Sequence, residues 1–397
     1  MPRRSRAVFV GTSGLLILLQ GFSPASEPTP RPRDAAEGAI SPAEVRSHVE
    51  RLASWEFAGR SGLGGARAAL YIADHFHQMG LQPLFETGYF QSILAQAGRS
   101  DSEAELGRNV GAWLPGADPE RRDECVILSA HYDHFGVQHG YLYPGADDNA
   151  SGVAMLLEVA RQLAQAPEPP RSSVLFVAFD LEERGLWGSR WFAARSPWPL
   201  DKVRVFLTAD MIGRSLGNMA EDFVFVMGSE HAPSLRSTIA ESAGEKELQV
   251  GLLGADLIGT RSDYGPFRDR RVPFLFFSTG EHPDYHQPSD TADRVNYEKL
   301  ARVSRMILRI TAQVADEPQA PQWVEQAVPD LEEVKVVHSI CGQLLDLEGD
   351  EAPSGWRRTF VTNAHTTMGK ILDRGTITKG ERAWLARVSL VLLATVF

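Results

Sequence analysis

Two histidines and a set of carboxylates stand directly after short apolar runs. His131-Tyr132-Asp133 follows residues 126–130, and Asp147-Asp148-Asn149-Ala150-Ser151-Gly152 opens a helical pattern. Glu182-Glu183 follows Ser173–Phe179, and Asp210 follows Val203–Ala209. Asp284-Tyr285-His286 and Asp290 follow residues 273–278. Singly, each has a bland explanation: a satisfied histidine, a helix cap, a solvated acidic face or a turn residue. Together they sit where buried strands end, and carboxylates there are costly unless paired or coordinating a cation. No matching set of Lys or Arg lies nearby in sequence. Two imidazoles with carboxylates suit zinc, with manganese or cobalt as substitutes; an all-oxygen set would have suggested magnesium or calcium. The ligand count exceeds one tetrahedral zinc and fits two metals sharing a carboxylate.

The elements that must position these groups alternate. Largely apolar runs at 126–130, Ser173–Phe179, Val203–Ala209, Phe223–Met227 and 273–278 read as strands, with Ser173–Phe179 of the continuous apolar kind found in parallel sheets. Helical periodicity at 66–79, 150–165 and 296–314 lies around and between them. The pattern predicts an α/β fold in three layers, a mixed, mostly parallel sheet between helices. In such sheets ligands bind beyond the carboxyl ends of the strands, where all five groups fall.

The chain has 397 residues, 43% hydrophobic and 23% charged, ample for a sizeable core. A net charge of -11 and the lack of a basic stripe argue against nucleic-acid binding. Residues 1–25 read as a signal peptide: Arg3, Arg4 and Arg6, then a mostly apolar stretch from Ala7 to Gln20, then small residues near Ala25. The expectation is export to a periplasmic or extracellular space, with no stable membrane span in the mature chain. Residues 26–40 read as a linker, 41–316 as the catalytic domain, and 317–397 as a largely helical extension of unknown role. Its apolar end is too short to span a bilayer, which takes about 20 residues, and is expected to dock on the core. Cys125 and Cys341 are expected to be unpaired thiols.

The motifs 130–134 (Ala-His-Tyr-Asp-His), 145–152 (Gly-Ala-Asp-Asp-Asn-Ala-Ser-Gly), 182–189 (Glu-Glu-Arg-Gly-Leu-Trp-Gly-Ser), 210–213 (Asp-Met-Ile-Gly), 262–264 (Ser-Asp-Tyr) and 284–286 (Asp-Tyr-His) together resemble the co-catalytic zinc exopeptidases. That family is typified by bacterial leucyl aminopeptidase and includes relatives of glutamate carboxypeptidase and glutaminyl cyclase. The resemblance covers residues 41 to 316 and implies the zinc-peptidase (phosphorylase/hydrolase-like) architecture. It implies two zinc ions, one held by His131, Asp147 and Asp210, the other by Asp147, Glu183 and His286, with Asp147 bridging and joined to Asp148 by a cis peptide. It implies Glu182 as the general base acting on a water between the metals, and a tyrosine, Tyr285 or Tyr264, as oxyanion or substrate donor. Asp133, Asp148 and Asp290 are candidates for supporting the ligands. Where Tyr264 stands, the family often has histidine. The implied reaction is release of N-terminal residues from a peptide substrate. A glutaminyl cyclase-like acyltransferase, a carboxypeptidase or dipeptidase on the same site, and a binding domain without enzymatic activity are the competing readings. The sequence sets neither side-chain preference nor oligomeric state. Arg261 is expected in a surface ion pair rather than on a substrate carboxylate.

Overall fold

Where apolar residues run without interruption, a strand can bury both of its faces, and that rule places the centre of the sheet. The computed structural model describes residues 40–95, 104–245, 247–326, 330–349 and 352–395. The expected signal peptide at 1–25 and nearly all of the expected linker at 26–40 lie outside the described residues. The strands are β1 (Gln82–Pro83), β2 (Phe90–Leu94), β3 (Glu105–Leu114), β4 (Cys125–His131), β5 (Gly136–Gln138), β6 (Tyr141–Tyr143), β7 (Ser173–Phe179), β8 (Val203–Ala209), β9 (Phe223–Met227), β10 (Gln249–Leu253) and β11 (Phe274–Ser278). Among the described residues nine of them form one sheet, β1-β3-β7-β4-β8-β11-β9-β10 with β2 on β3, and β5 and β6 form a hairpin of their own. Strands β7, β4, β8 and β11 are neighbours running in parallel, so their carboxyl ends share one edge. β3 pairs antiparallel to β7, and β9 antiparallel to β11.

Alternation sorts the strand side chains between two cores. Val174, Phe176 and Ala178 enter one, while Leu175, Val177 and Phe179 enter the other. The first core is closed by α1 (Pro42–Leu52), α2 (Leu63–Gln78), α3 (Gly152–Gln165), α5 (Leu235–Ser242) and α7 (Tyr297–Asp316). The second is closed by α4 (Trp187–Ala194), α6 (Gly265–Arg268), α8 (Leu331–Asp346), α9 (Gly355–Arg374) and α10 (Lys379–Thr395). Each large apolar side chain so buried is worth roughly 1.5–3 kcal/mol. Helix starts follow local chemistry. Ser41 and Glu44 form a capping box at α1, with Pro42 in its first turn, and the Asn296 side chain accepts from the Lys299 amide at α7.

The three-layer expectation holds, with three differences. The antiparallel strands β1 to β3 lack a clear sequence signal, because residues 82–114 mix polar and apolar types and β3 carries Gly107 and Gly111. The helix after the acidic motif starts at Gly152, since 146–151 make an irregular turn that turns its acids inward. The cis peptide lies at Asp148–Asn149, one position after the expected Asp147–Asp148. The extension at 317–397 is no loose appendage: Val334, Ile340, Met368, Leu385 and Leu392 share one core with Phe225 and Phe276 of the sheet. Cys125 and Cys341 are both free and buried. Among the described residues no helix is long and apolar enough to cross a membrane.

Candidate metal centre

Each strand of the parallel quartet delivers one piece of the site from its carboxyl end. His131 ends β4, Glu182 and Glu183 follow β7, Asp210 follows β8, and His282, His286 and Asp290 follow β11. The turn at 146–151 lies against them and presents Asp148.

Asp148 is where the groups meet. Its Oδ1 lies 3.3 Å from His131 Nε2, whose other neighbour is Asp210 Oδ1 at 3.2 Å. Its Oδ2 lies 3.2 Å from His286 Nε2, which is also 3.2 Å from Glu183 Oε2. His134 Nδ1 lies 2.6 Å from Glu183 Oε1 and 3.9 Å from Asp148 Oδ2. Two compact trios result, each able to hold a metal ion: His131, Asp148 and Asp210, and His134, Asp148 and Glu183. Asp148 belongs to both. The Asp148 carboxyl is held well below its usual range: burial works against ionisation, but the imidazoles of His131 and His286 beside it outweigh that cost.

The expectation had Asp147 at this centre, and the geometry corrects it. Asp147 Oδ1 accepts from the Gly213 amide at 2.6 Å, and Oδ2 faces His282 Nε2 at 3.5 Å. Asp147 thus looks away from both trios. Asp148, expected only to support, takes the central place. The other expected ligands, His131, Glu183, Asp210 and His286, all come together as read from the sequence.

The supporting acids work through backbone amides. Asp133 Oδ1 accepts from Glu182 N at 3.0 Å and Oδ2 from Glu183 N at 3.3 Å. The same Oδ1 is 3.6 Å from His131 Nδ1, which points the opposite nitrogen at Asp148 and Asp210. Asp290 Oδ2 accepts from the amides of Asp147 at 3.1 Å and Asp148 at 3.0 Å. Non-glycine residues with left-handed backbone cluster here: Leu181 before Glu182, Met211 after Asp210, and His286 itself. Position 145 requires glycine, because its φ is +54° and an added Cβ would lie 2.0 Å from Asp148 O and 2.6 Å from the His134 ring.

The donor set passes a chemical test for zinc. Three imidazoles and three carboxylates converge in buried or partly buried positions, and Asp148 Oδ2, which faces His134 and His286, has no hydrogen-bond partner. Nitrogen and carboxylate oxygen are zinc donors, and a cation relieves both the crowding of like charge and that unpaired oxygen.

Glu182 does not join either trio and faces the cleft beside them. Burial pushes its carboxyl well above the usual range, and Asp263, Asp210 and Glu183 add to this against His131. A carboxylate whose proton affinity is raised in this way is suited to act as a base. Tyr285 lines the same cleft, stacked on His286 with ring centres 3.7 Å apart. Tyr264, the other candidate, is spent elsewhere. Its hydroxyl donates to Gly259 O and accepts from Arg261 N, and its ring stacks on Phe274 and Phe276. The structure therefore separates the two tyrosines that the sequence left equal. Arg261 pairs with Glu281 at 2.7 Å, as expected of an ion pair.

Sequence reasoning missed Arg60. Fully buried, it donates to five carbonyl oxygens: Tyr132 (2.8 Å), Leu52 (3.2 Å), Pro144 (2.5 Å), Gly145 (2.7 Å) and Asp148 (3.2 Å). It therefore ties the turn that carries Asp148 to the loop that follows His131. A lone arginine after a glycine gives no periodic signal, and all of its partners but Leu52 lie far along the chain. Lys299 was missed as well. Its buried Nζ donates to Arg214 O at 2.8 Å, and burial lowers its ammonium to about 8 against the pull of Asp147. Arg60→Met would take the Arg60 donors from five carbonyls, although Gly145 O keeps the Ala150 amide, a loss on the order of 3–5 kcal/mol. Thermal denaturation reads it, and a melting point matching that of wild type would show that the clamp is dispensable.

Residues 109–311 match the family model described as Peptidase family M28. Aminopeptidase YwaD of Bacillus subtilis is 26% identical over 215 residues, a match covering 52% of this chain and 44% of that protein. The chain thus spans less than half the length of that relative. Among solved structures, LapB from Legionella pneumophila superposes with a TM-score of 0.57 at 21% identity, over 72% of this chain and 75% of that one. Glutaminyl cyclase from Porphyromonas gingivalis superposes with a TM-score of 0.54 at 20% identity, over 68% of this chain and 98% of that one. At these identities the likeness to the solved structures is one of fold.

Proposed function

Because the chain belongs to peptidase family M28, we propose that it is a zinc-dependent exopeptidase that removes N-terminal residues from peptides. The observation that carries this reading is the meeting of both trios at Asp148, with Glu182 beside them lining the same cleft.

In this reading His131, Asp148 and Asp210 would hold one zinc ion, and Asp148 and Glu183 would hold the other with His286, whose Nε2 lies 3.2 Å from each carboxylate. His134, which completes the second trio with Asp148 and Glu183, hydrogen-bonds Glu183 Oε1 and stands as a further imidazole donor for that ion. Bound there, zinc supplies Lewis acidity, polarising the scissile carbonyl and making water easier to deprotonate. Glu182 takes the water proton on its carboxylate and hands it to the departing amine nitrogen. The Tyr285 hydroxyl, raised above its usual range by burial and then by Asp148, Asp210 and Glu183, stays protonated and donates to the developing oxyanion. The aminopeptidase form is favoured over the carboxypeptidase form by the cleft wall. Arg261, which would take a substrate carboxylate, is already neutralised by Glu281, and the nearby acids suit an ammonium group.

The test combines metal content with substrate choice. Elemental analysis of the purified chain is expected to give close to two zinc ions, and free-amine peptides are expected to be cleaved while N-acetylated ones are not. Equal cleavage of both would sink the aminopeptidase assignment. One zinc per chain, with ring closure of N-terminal glutamine in place of hydrolysis, would favour the cyclase alternative.

A further inference from the structure

One wall of the substrate cleft comes from outside the region that carries the metal centre. The cleft that Glu182, Glu183 and Asp210 line is also lined by Val337 and Ile340 of α8 and by Ser389, Leu392 and Leu393 of α10. Phe225, Met227 and Phe276 of the sheet line it too, and Val337, Ile340 and Leu392 share one apolar cluster with them. The cleft therefore joins the charged groups that carry the chemistry to an apolar lining shared with the C-terminal extension.

The extension is fixed in register there. Arg382, on the face of α10 that also carries Ser389 and Leu392, is mostly buried. It donates to Glu333 of α8 at 2.9 and 2.8 Å and to Asp256 at 2.6 and 2.8 Å. Asp256 lies in the short turn that also offers Leu257 and Ile258 to the cleft. The approach is close enough that a side chain at Gly254 would have to displace these charged groups. A Cβ at Gly254 would fall 2.3 Å from Arg382 Nη2 and 2.6 Å from Asp256 Oδ1. A planar guanidinium shared between two carboxylates sets direction as well as distance, so α8, α10 and the turn are held as one wall.

We propose that Val337, Ile340, Leu392 and Leu393 of the C-terminal helices form the end wall of the substrate cleft and determine how large an apolar first side chain the enzyme accepts. This rests on the aminopeptidase reading for the word substrate, but the wall itself is a claim about the cleft. Size discrimination in apolar pockets runs at about 10- to 200-fold per methylene-sized change, so wall substitutions should register clearly.

The experiment uses the full-length, zinc-loaded chain and three variants. Leu392→Trp fills the end of the cleft, Ile340→Ala deepens it, and Leu390→Trp is a control on the outer face of α10, where Leu390 is 43% exposed. Hydrolysis of alanyl, leucyl and phenylalanyl nitroanilides is measured. For Leu392→Trp, the kcat/KM ratio of the phenylalanyl to the alanyl substrate is expected to fall at least ~10-fold. For Ile340→Ala the same ratio is expected to rise, and for Leu390→Trp to stay as in wild type. Ratios unchanged in both wall variants, with wild type active, overturn the wall while leaving the aminopeptidase reading intact. If wild type cleaves none of the substrates, the reaction assignment fails, and binding of anilinonaphthalene sulfonate decides the wall. Weaker binding in Leu392→Trp than in Leu390→Trp upholds it, and equal binding overturns it.

Discussion

Glu182→Gln is expected to lower kcat/KM for aminoacyl substrates by about 10²- to 10⁴-fold, the usual contribution of a general base, while the zinc content stays that of wild type. The expectation follows from where Glu182 stands. It lies beside both trios without joining either, and its backbone amide is held by Asp133 Oδ1 at 3.0 Å whatever the side chain. The amide of glutamine matches the carboxylate in shape, so the fold and the ligand positions persist while the proton acceptor is lost. Metal analysis alongside steady-state kinetics checks this. A variant that keeps its zinc and its rate removes Glu182 from the mechanism, and one that loses zinc makes it a ligand instead.

A second large effect separates two neighbouring aspartates. Asp148→Asn takes a charged donor from both trios at once, so zinc content is expected to drop from about two ions to one or fewer, with activity falling beyond detection. Asp147→Asn is expected to keep the full metal content. Its Oδ1 can still accept from the Gly213 amide, and the lost charge faced His282 rather than the trios. Elemental analysis of the two proteins in parallel decides the matter. Metal loss in Asp147→Asn with retention in Asp148→Asn would return the bridging role to Asp147.

That pair also shows how far the sequence could be read. Largely apolar runs disclosed the strands at Ser173–Phe179, Val203–Ala209 and Phe223–Met227 to the residue, because a strand covered on both faces is built mainly of apolar side chains, with Arg204 and Thr208 buried as exceptions. The acids and imidazoles after those strands were legible as a group for the same reason: position beside a buried strand end makes a charge conspicuous. Which of two adjacent aspartates turns inward was not legible. Local sequence treats them alike, and the choice is made by Asp290 on both amides and by Gly213 on Asp147, contacts between groups far apart along the chain. Arg60 was hidden for a kindred reason, since its partners are backbone carbonyls, which carry no residue signature. The C-terminal helices could be read as helical in part, yet α9, with its four threonines, offers weak periodicity, and no local pattern says that α10 will end in the cleft.

The order of the four central strands, β7-β4-β8-β11, differs from their order along the chain. That difference gives the site a history. As the chain is synthesised, His131, Asp148 and Glu183 emerge first and Asp210 next. The first trio then has all its members, but Asp290, which fixes the amides of Asp147 and Asp148, arrives much later, together with His286. Until that last loop docks, the turn that carries Asp148 lacks the carboxylate that fixes its amides. Completion of the site therefore waits on the segment that follows β11, the last strand of the sheet to be made.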